Sequence, residues 1–359
     1  MHRLLGFSIY LNEDWSVEKE DFINDMASIG FKGIFTSLHL PEDDASKYGE
    51  RLAPLLSAAK HNGLKLMIDI SGDALHQIGL SIREPEQIVE SGISGLRLDD
   101  GFELKDTARL SNYLTVALNA STLTKKEFEQ LERYHANFGR MEAWHNYYPR
   151  PETGLEEKWF GEKNEWLKSN GFAVAAFAPG DGKLRHPLFE TLPTLEIHRC
   201  QNPLASSLSL LQDYGVNHVY LGDPGLSPHS RRQFIEYLNN RTILLHAATA
   251  DAKWHDYMFK DHVNRVDVAK DVIRSERSRR HNRDANILPE NNRLRRKGSI
   301  TLDNYLYGRY KGELQITKLE LPADEKVNVI GQIVEHDLPL LEFIRAGTKF
   351  KITDRAGGK

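Results

Sequence analysis

Apolar and polar positions over the first two-thirds of the chain repeat one motif: a short apolar run, a polar turn, then a stretch with apolar positions three and four apart. The runs predict strands at 5–11, 33–38, 65–71, 95–100, 115–121, 140–146, 173–178 and 218–223, each rich in Ile, Leu, Val, Phe or Ala and bounded by Gly, Asn, Asp or Pro. The intervening stretches predict helices at 17–29, 48–61, 85–91, 125–136, 156–169, 204–214 and 230–240. Gly30, Gly63, Gly171 and Gly215 each stand between a helix and the next strand, where a left-handed exit favours glycine. Eight alternations in about 240 residues predict an α/β fold built on a (β/α)8 TIM barrel. The rival, an open doubly wound sheet, calls for a glycine-rich turn after its first strand, and 10–15 (YLNEDW) contains no glycine.

Beyond Asn240 the pattern changes to strands without helices between them, at 242–248, 299–302, 313–319, 326–334 and 348–353. Two domains are therefore expected, a catalytic barrel over 1–240 and a β-rich domain over 241–359. The segment 274–297 is strongly basic, with Arg274, Arg277, Arg279, Arg280, Arg283, Arg293, Arg295, Arg296 and Lys297. It reads either as a solvated loop or as an anion-binding flap. No aromatic residue interrupts it to stack bases.

Composition narrows the classes. The 359 residues carry 51 acidic and 47 basic side chains, a net charge of −4, so nucleic acid is not an expected partner. One cysteine, Cys200, excludes a disulfide framework or thiolate metal site and fits a reducing compartment. No apolar run approaches the roughly 20 residues that span a bilayer, and no secretory leader is evident. A cytoplasmic protein without membrane association is expected.

In barrel enzymes the chemistry lies at the carboxyl ends of the strands. Those ends carry Asp69 on strand three, Arg97, Asp99 and Asp100 on strand four, Asn119 on strand five and Asp223 on strand eight. Strand six supplies Glu142, Trp144, His145, Asn146, Tyr147, Tyr148 and Arg150. Period-two alternation turns Asp69, Arg97 and Asp99 inward, with Arg97 able to pair either acid, and sends His145 opposite to Glu142 and Asn146. Carboxylates from several strands, without metal-type His/Cys spacing, point to acid/base chemistry, glycoside hydrolysis first, and no cofactor is expected. Asp99 and Asp100 fit a polarising and acid/base pair, with Glu142 the alternative acid or nucleophile. Asp69, Asn119, Asn146, Glu196 and Asp223 are candidate sugar contacts. Tyr147 and its aromatic neighbours suit a sugar platform. His145, Arg150 and Arg185 are candidate anion ligands. The glycines of 178–185 read either as an anion cradle or as a surface turn.

The segments HNYYPRPETGL (145–155), FAPGDGKLRHPLFETLPTLEIHR (177–199) and GSITLDNYLYGRYKGELQI (298–316) resemble the bacterial 6-phospho-N-acetylmuramidase family. The resemblance covers essentially the whole chain. It implies a TIM barrel followed by a cyclophilin-like β-barrel, and an intracellular glycosidase splitting 6-phosphorylated MurNAc–GlcNAc during cell-wall recycling. It also implies that arginines would meet the phosphate and lactyl carboxylate, and a 2-acetamido sugar makes the Asp99–Asp100 pair chemically apt. Two alternatives remain: a non-catalytic phosphosugar-binding regulator associated with a sugar phosphotransferase system, and a phosphosugar isomerase. The second domain is expected either to close over the barrel mouth or to build a homodimer interface.

Overall fold

The computed structural model describes residues 4–38, 40, 44–71, 74–99, 101–249 and 252–354. The chain forms two compact units, Met1–Ser227 and Pro228–Lys359.

The first unit is a closed barrel of eight parallel strands in sequential order. The strands are β1 (Leu4–Ser8), β2 (Gly33–Ser37), β3 (Lys65–Ile70), β4 (Gly95–Leu98), β5 (Thr115–Asn119), β6 (Met141–Trp144), β7 (Ala173–Ala178) and β8 (His218–Leu221). Between them run α1 (Val17–Ile29), α2 (Tyr48–His61), α3 (Pro85–Glu90), α4 (Leu104–Leu110), α5 (Lys125–Arg133), α6 (Glu157–Ser169) and α7 (Pro203–Gln212). Local chemistry sets their ends. Ser16 caps α1, Thr124 and Glu127 form a capping box on α5, and Asn202 with Pro203 starts α7. Gly30, Gly63, Gly171 and Gly215 all take positive φ, as their place before a strand requires.

Most strands stop one or two residues short of their apolar runs, so the polar residues after them belong to loops. The helix α4 was not predicted; its seven residues, LKDTARL, carry too short a pattern to stand out.

The pairing registers stack the inward side chains in layers contributed by alternate strands. From the carboxyl end downward these are Ser37, Asp99 and Asn146; then Ser8, Asp69, Asn119 and Phe177; then Phe35, Arg97, Trp144 and Tyr220. Met67, Ala117 and Ala175 lie below, and Glu142 and His218 lie toward the amino-terminal end. Phe35, Met67, Trp144, Phe177 and Tyr220 form the buried heart of the barrel. Tyr220 fits only because β1 and β2 offer glycine: a Cβ on Gly6 would sit 2.2 Å from its ring, and one on Gly33 2.5 Å from its hydroxyl.

In the second unit, α8 (Pro228–Asn240) is followed by β9 (Thr242–Thr249), β10 (Asp261–Val263), β11 (Val272–Arg274), β12 (Ser299–Asp303), β13 (Leu314–Thr317), β14 (Val327–Ile333) and β15 (Lys349–Asp354). The sheet order is β10-β15-β9-β14-β12-β13-β11, antiparallel except for the β9–β15 pair. The edges nearly close on each other: Asn264 bridges Ser275, Arg265 N donates to Arg274 O (3.1 Å) and Glu276 N to Val263 O (2.9 Å). The strands β10 and β11, three residues each, were not predicted.

Several arginines of the basic segment are engaged within this unit. Arg274 Nε and Arg279 Nε reach the two oxygens of buried Glu313 at 2.6 and 2.9 Å, and Arg295 Nε donates to Pro322 O (2.8 Å). These three side chains hold groups of the unit itself.

Candidate active site

Residues on or just after four strands build the polar centre of the barrel mouth. Asp69 on β3 and Arg97 on β4 are both buried, and Arg97 Nη1 donates to Asp69 Oδ1 at 2.6 Å. Ser37 Oγ on β2 donates to the other oxygen at 3.2 Å. Arg97 Nη2 donates to Asn146 Oδ1 just past β6, so one guanidinium ties strand four to strands three and six. Burial opposes the charge on Arg97, but the carboxylates of Asp69 and Asp99 raise its pKa further. Asp99 follows β4 at the mouth, exposed, its N–H donating to Ile70 O (3.0 Å). Asp100 lies outside the described residues.

A second cluster flanks this centre. Arg185 Nη1 donates to Tyr147 Oη (2.9 Å), and its guanidinium lies 4.8 Å from the centre of the Tyr10 ring. Burial pushes the Tyr10 and Tyr147 hydroxyls up from their ordinary values, so both stay protonated. Arg150 and Arg185, with His186, Pro187 and Leu188, line a cavity of about 330 Å³. The two arginines expected to meet an anion therefore share one cavity. A second cavity of about 460 Å³ is lined by His76, Arg83, Gly101 and Phe102, from the loops after β3 and β4. Asn119, at the end of β5, accepts from Ser121 N (3.0 Å).

Four other candidates are placed elsewhere. Glu142 lies near the amino-terminal end of the barrel, accepting from Trp144 Nε1 (2.6 Å) with His218 Nε2 at 3.5 Å, far below the mouth layer. His145 points outward to α6, its ring tilted against Phe160 with 4.5 Å between centres, and is fully buried. Its Nε2 donates to Asn164 Oδ1 (2.8 Å), Nδ1 lies 3.2 Å from Ser121 Oγ, and burial lowers its pKa to about 4. A neutral imidazole is a poor anion ligand.

Glu196 clamps a loop: it accepts from Arg199 Nε (2.6 Å), Glu152 N (2.9 Å) and Gly154 N (2.7 Å), and the arginine bond leads in lowering its pKa to about 2. Asp223 is fully buried, accepting from Gly180 N (2.9 Å) and Leu192 N (3.0 Å). Burial raises its pKa to about 6. The glycines of 178–185 likewise serve packing, since Gly180 N is spent on Asp223, Gly182 N donates to Gly225 O (3.4 Å), and a Cβ on Gly180 would sit 2.4 Å from Gly225 O.

Two contributors escaped the sequence reading. Tyr10 and Ser37 stand at the ends of β1 and β2, where only the barrel's closure brings them beside strands three to seven.

The family models described as 6-phospho-N-acetylmuramidase, N-terminal and C-terminal, match residues 5–236 and 243–353. The chain belongs to the 6-phospho-N-acetylmuramidase family. The family points to a phosphomuramidase-type glycosidase, in keeping with acids and arginines at the mouth of a TIM barrel. A conserved Enterococcus faecalis protein of unknown function is 43% identical, with 98% of this chain and 96% of that chain covered and a TM-score of 0.92. An uncharacterized B. cereus protein is 27% identical, covering 98% of this chain and 100% of that one, with a TM-score of 0.75. No curated protein matches the chain. Among the described residues, no helix is long and apolar enough to cross a membrane.

Proposed function

We propose that this family member hydrolyses 6-phospho-N-acetylmuramyl-N-acetylglucosamine, or a close phosphoglycoside, in the cytoplasm as part of cell-wall recycling. The observation that carries this reading is Tyr147, which takes a hydrogen bond from Arg185 of the cavity and feels the charges of Asp69 and Arg97 in the buried network. The network offers polar contacts to a sugar ring, and the cavity suits its phosphate or lactyl carboxylate.

Asp99 and Asp100 act as the polarising and acid/base pair, one orienting the 2-acetamido group while its neighbour moves the proton. Asp69 works through Arg97, fixing the guanidinium that in turn orients Asn146. Asn119 and Asn146 meet sugar hydroxyls, and Tyr147 offers a ring face. Glu142, His145, Glu196 and Asp223 take no part in this scheme. We read the second unit, whose sheet nearly closes on itself, as the cyclophilin-like barrel that the resemblance implies.

Asp99→Asn and Asp100→Asn, made separately, should each lower disaccharide cleavage by about 10²–10⁴-fold. Arg150→Ala and Arg185→Ala should raise KM for the phosphorylated disaccharide and erase its advantage over the unphosphorylated one. Wild-type rates in both aspartate variants would remove the proposed pair. Tight phosphosugar binding without turnover would favour the regulatory alternative.

A further inference from the structure

The second unit contains a cluster that the glycosidase reading leaves unused. His229 near the start of α8, His246 on β9 and Asp337 in the turn after β14 converge in the interior, one ligand-type atom of each lying within 4.8 Å of the others. His229 Nε2 donates to Asp337 Oδ1 at 2.8 Å and His246 Nδ1 to Oδ2 at 2.9 Å, so the two rings face different oxygens of one carboxylate. The rings lie against each other, 3.8 Å between centres. The carboxylate is itself held in place: Gln233 Nε2 donates to Oδ1 (2.8 Å) and His246 N to Oδ2 (2.7 Å).

His246 is 1% exposed, so this imidazole and the carboxylate it faces meet in the interior of the unit. A carboxylate and two imidazoles gathered at one point are a donor set that borderline divalent ions take.

We propose that His229, His246 and Asp337 form a binding site for a divalent transition metal of the Zn²⁺ class. The spacing suits it. In a tetrahedral site with bonds of about 2.0–2.1 Å, ligand atoms stand roughly 3.3 Å apart, so the present N–O pairs need open only slightly. No proton need be lost: each neutral imidazole shifts to the tautomer whose lone pair faces the ion. Gln233 and the His246 amide orient the carboxylate, the outer-shell role such sites require. The His229 side chain is 27% exposed and gives the ion a way in. With three protein ligands the fourth position of the tetrahedron would fall to water, and the ion would tie α8 and the turn after β14 to β9.

The full chain, purified without a histidine tag, is loaded with ZnCl2, desalted and assayed by elemental mass spectrometry, with thermal melts before and after a chelator. About one zinc per chain is expected, with a Tm that falls by several degrees on chelation and returns with zinc. CoCl2 should give the intense visible bands of a tetrahedral site. His229→Gln changes a partly exposed residue and should fold, yet lose most of the bound zinc. Asp337→Asn should lose it too. Less than about a tenth of an equivalent of zinc in the wild-type chain, with no Tm response to added zinc, would overturn the site. Full zinc retention by His229→Gln would overturn this ligand set. None of these measurements uses glycosidase activity.

Discussion

Arg97 is the residue on which the barrel mouth turns. It is buried, it is charged, and its two terminal nitrogens hold Asp69 and Asn146. Removing one member of a buried ion pair costs about 3–5 kcal/mol, because the other is left desolvated. Asp69→Ala should therefore lower the denaturation midpoint sharply, and the double variant Asp69→Ala/Arg97→Met should recover much of the loss; a double-mutant cycle in urea measures it. Asp223 makes a different prediction, through pH. Its pKa is raised from 3.8 to about 6 by burial, so the folded chain keeps a proton that the unfolded chain has already released. Its favourable contribution is full below about pH 4 and is lost as pH rises to 6, a change of roughly 3 kcal/mol. Asp223→Asn keeps an oxygen for the Gly180 and Leu192 amides and should flatten stability over that window, read as Tm at half-unit steps of pH.

Among the elements, the strands show how a small residue on one serves a large one on another. Tyr220 on β8 occupies the space over Gly6 and Gly33. Gly6→Ala should destabilise by about 1–3 kcal/mol through overpacking, and Tyr220→Leu in the same chain should relieve part of it; both are measurable by thermal melts. The same elements show what can be read from order along the chain. Strict alternation turned Asp69, Arg97 and Asp99 inward, because the face of a strand residue is a local property. Height along the barrel is a separate matter. Glu142 shares its face with Asn146 but stands four residues earlier, at the start of β6, and its neighbours on the adjoining strands, Ala117 and Ala173, follow from register. His145 alternates outward as its position demands, and its place beside anion candidates in sequence did not carry over to space. Glu196 and Asp223 were legible as acids near strand ends, but whether backbone amides would consume them depends on loop paths that no periodicity encodes.

At the scale of the whole chain, α8 follows the last barrel strand in sequence yet groups with the second unit. Asp337 explains the stake: two of its side-chain donors, His229 and Gln233, come from this helix. A fragment beginning at 228 should fold more stably than one beginning at 241, by several kcal/mol, because the shorter piece leaves a buried carboxylate short of donors. Urea titration of the two fragments checks this. The strand order of that unit also bears on how it is made. Its first strand, β9, lies beside its last, β15, and β15 in turn carries β10. During translation the unit must wait with the middle of its sheet missing until residues 349–354 have left the ribosome. A premature stop codon only a dozen codons before residue 359 would remove a central strand, and the product would meet the cell's proteases with two open sheet edges.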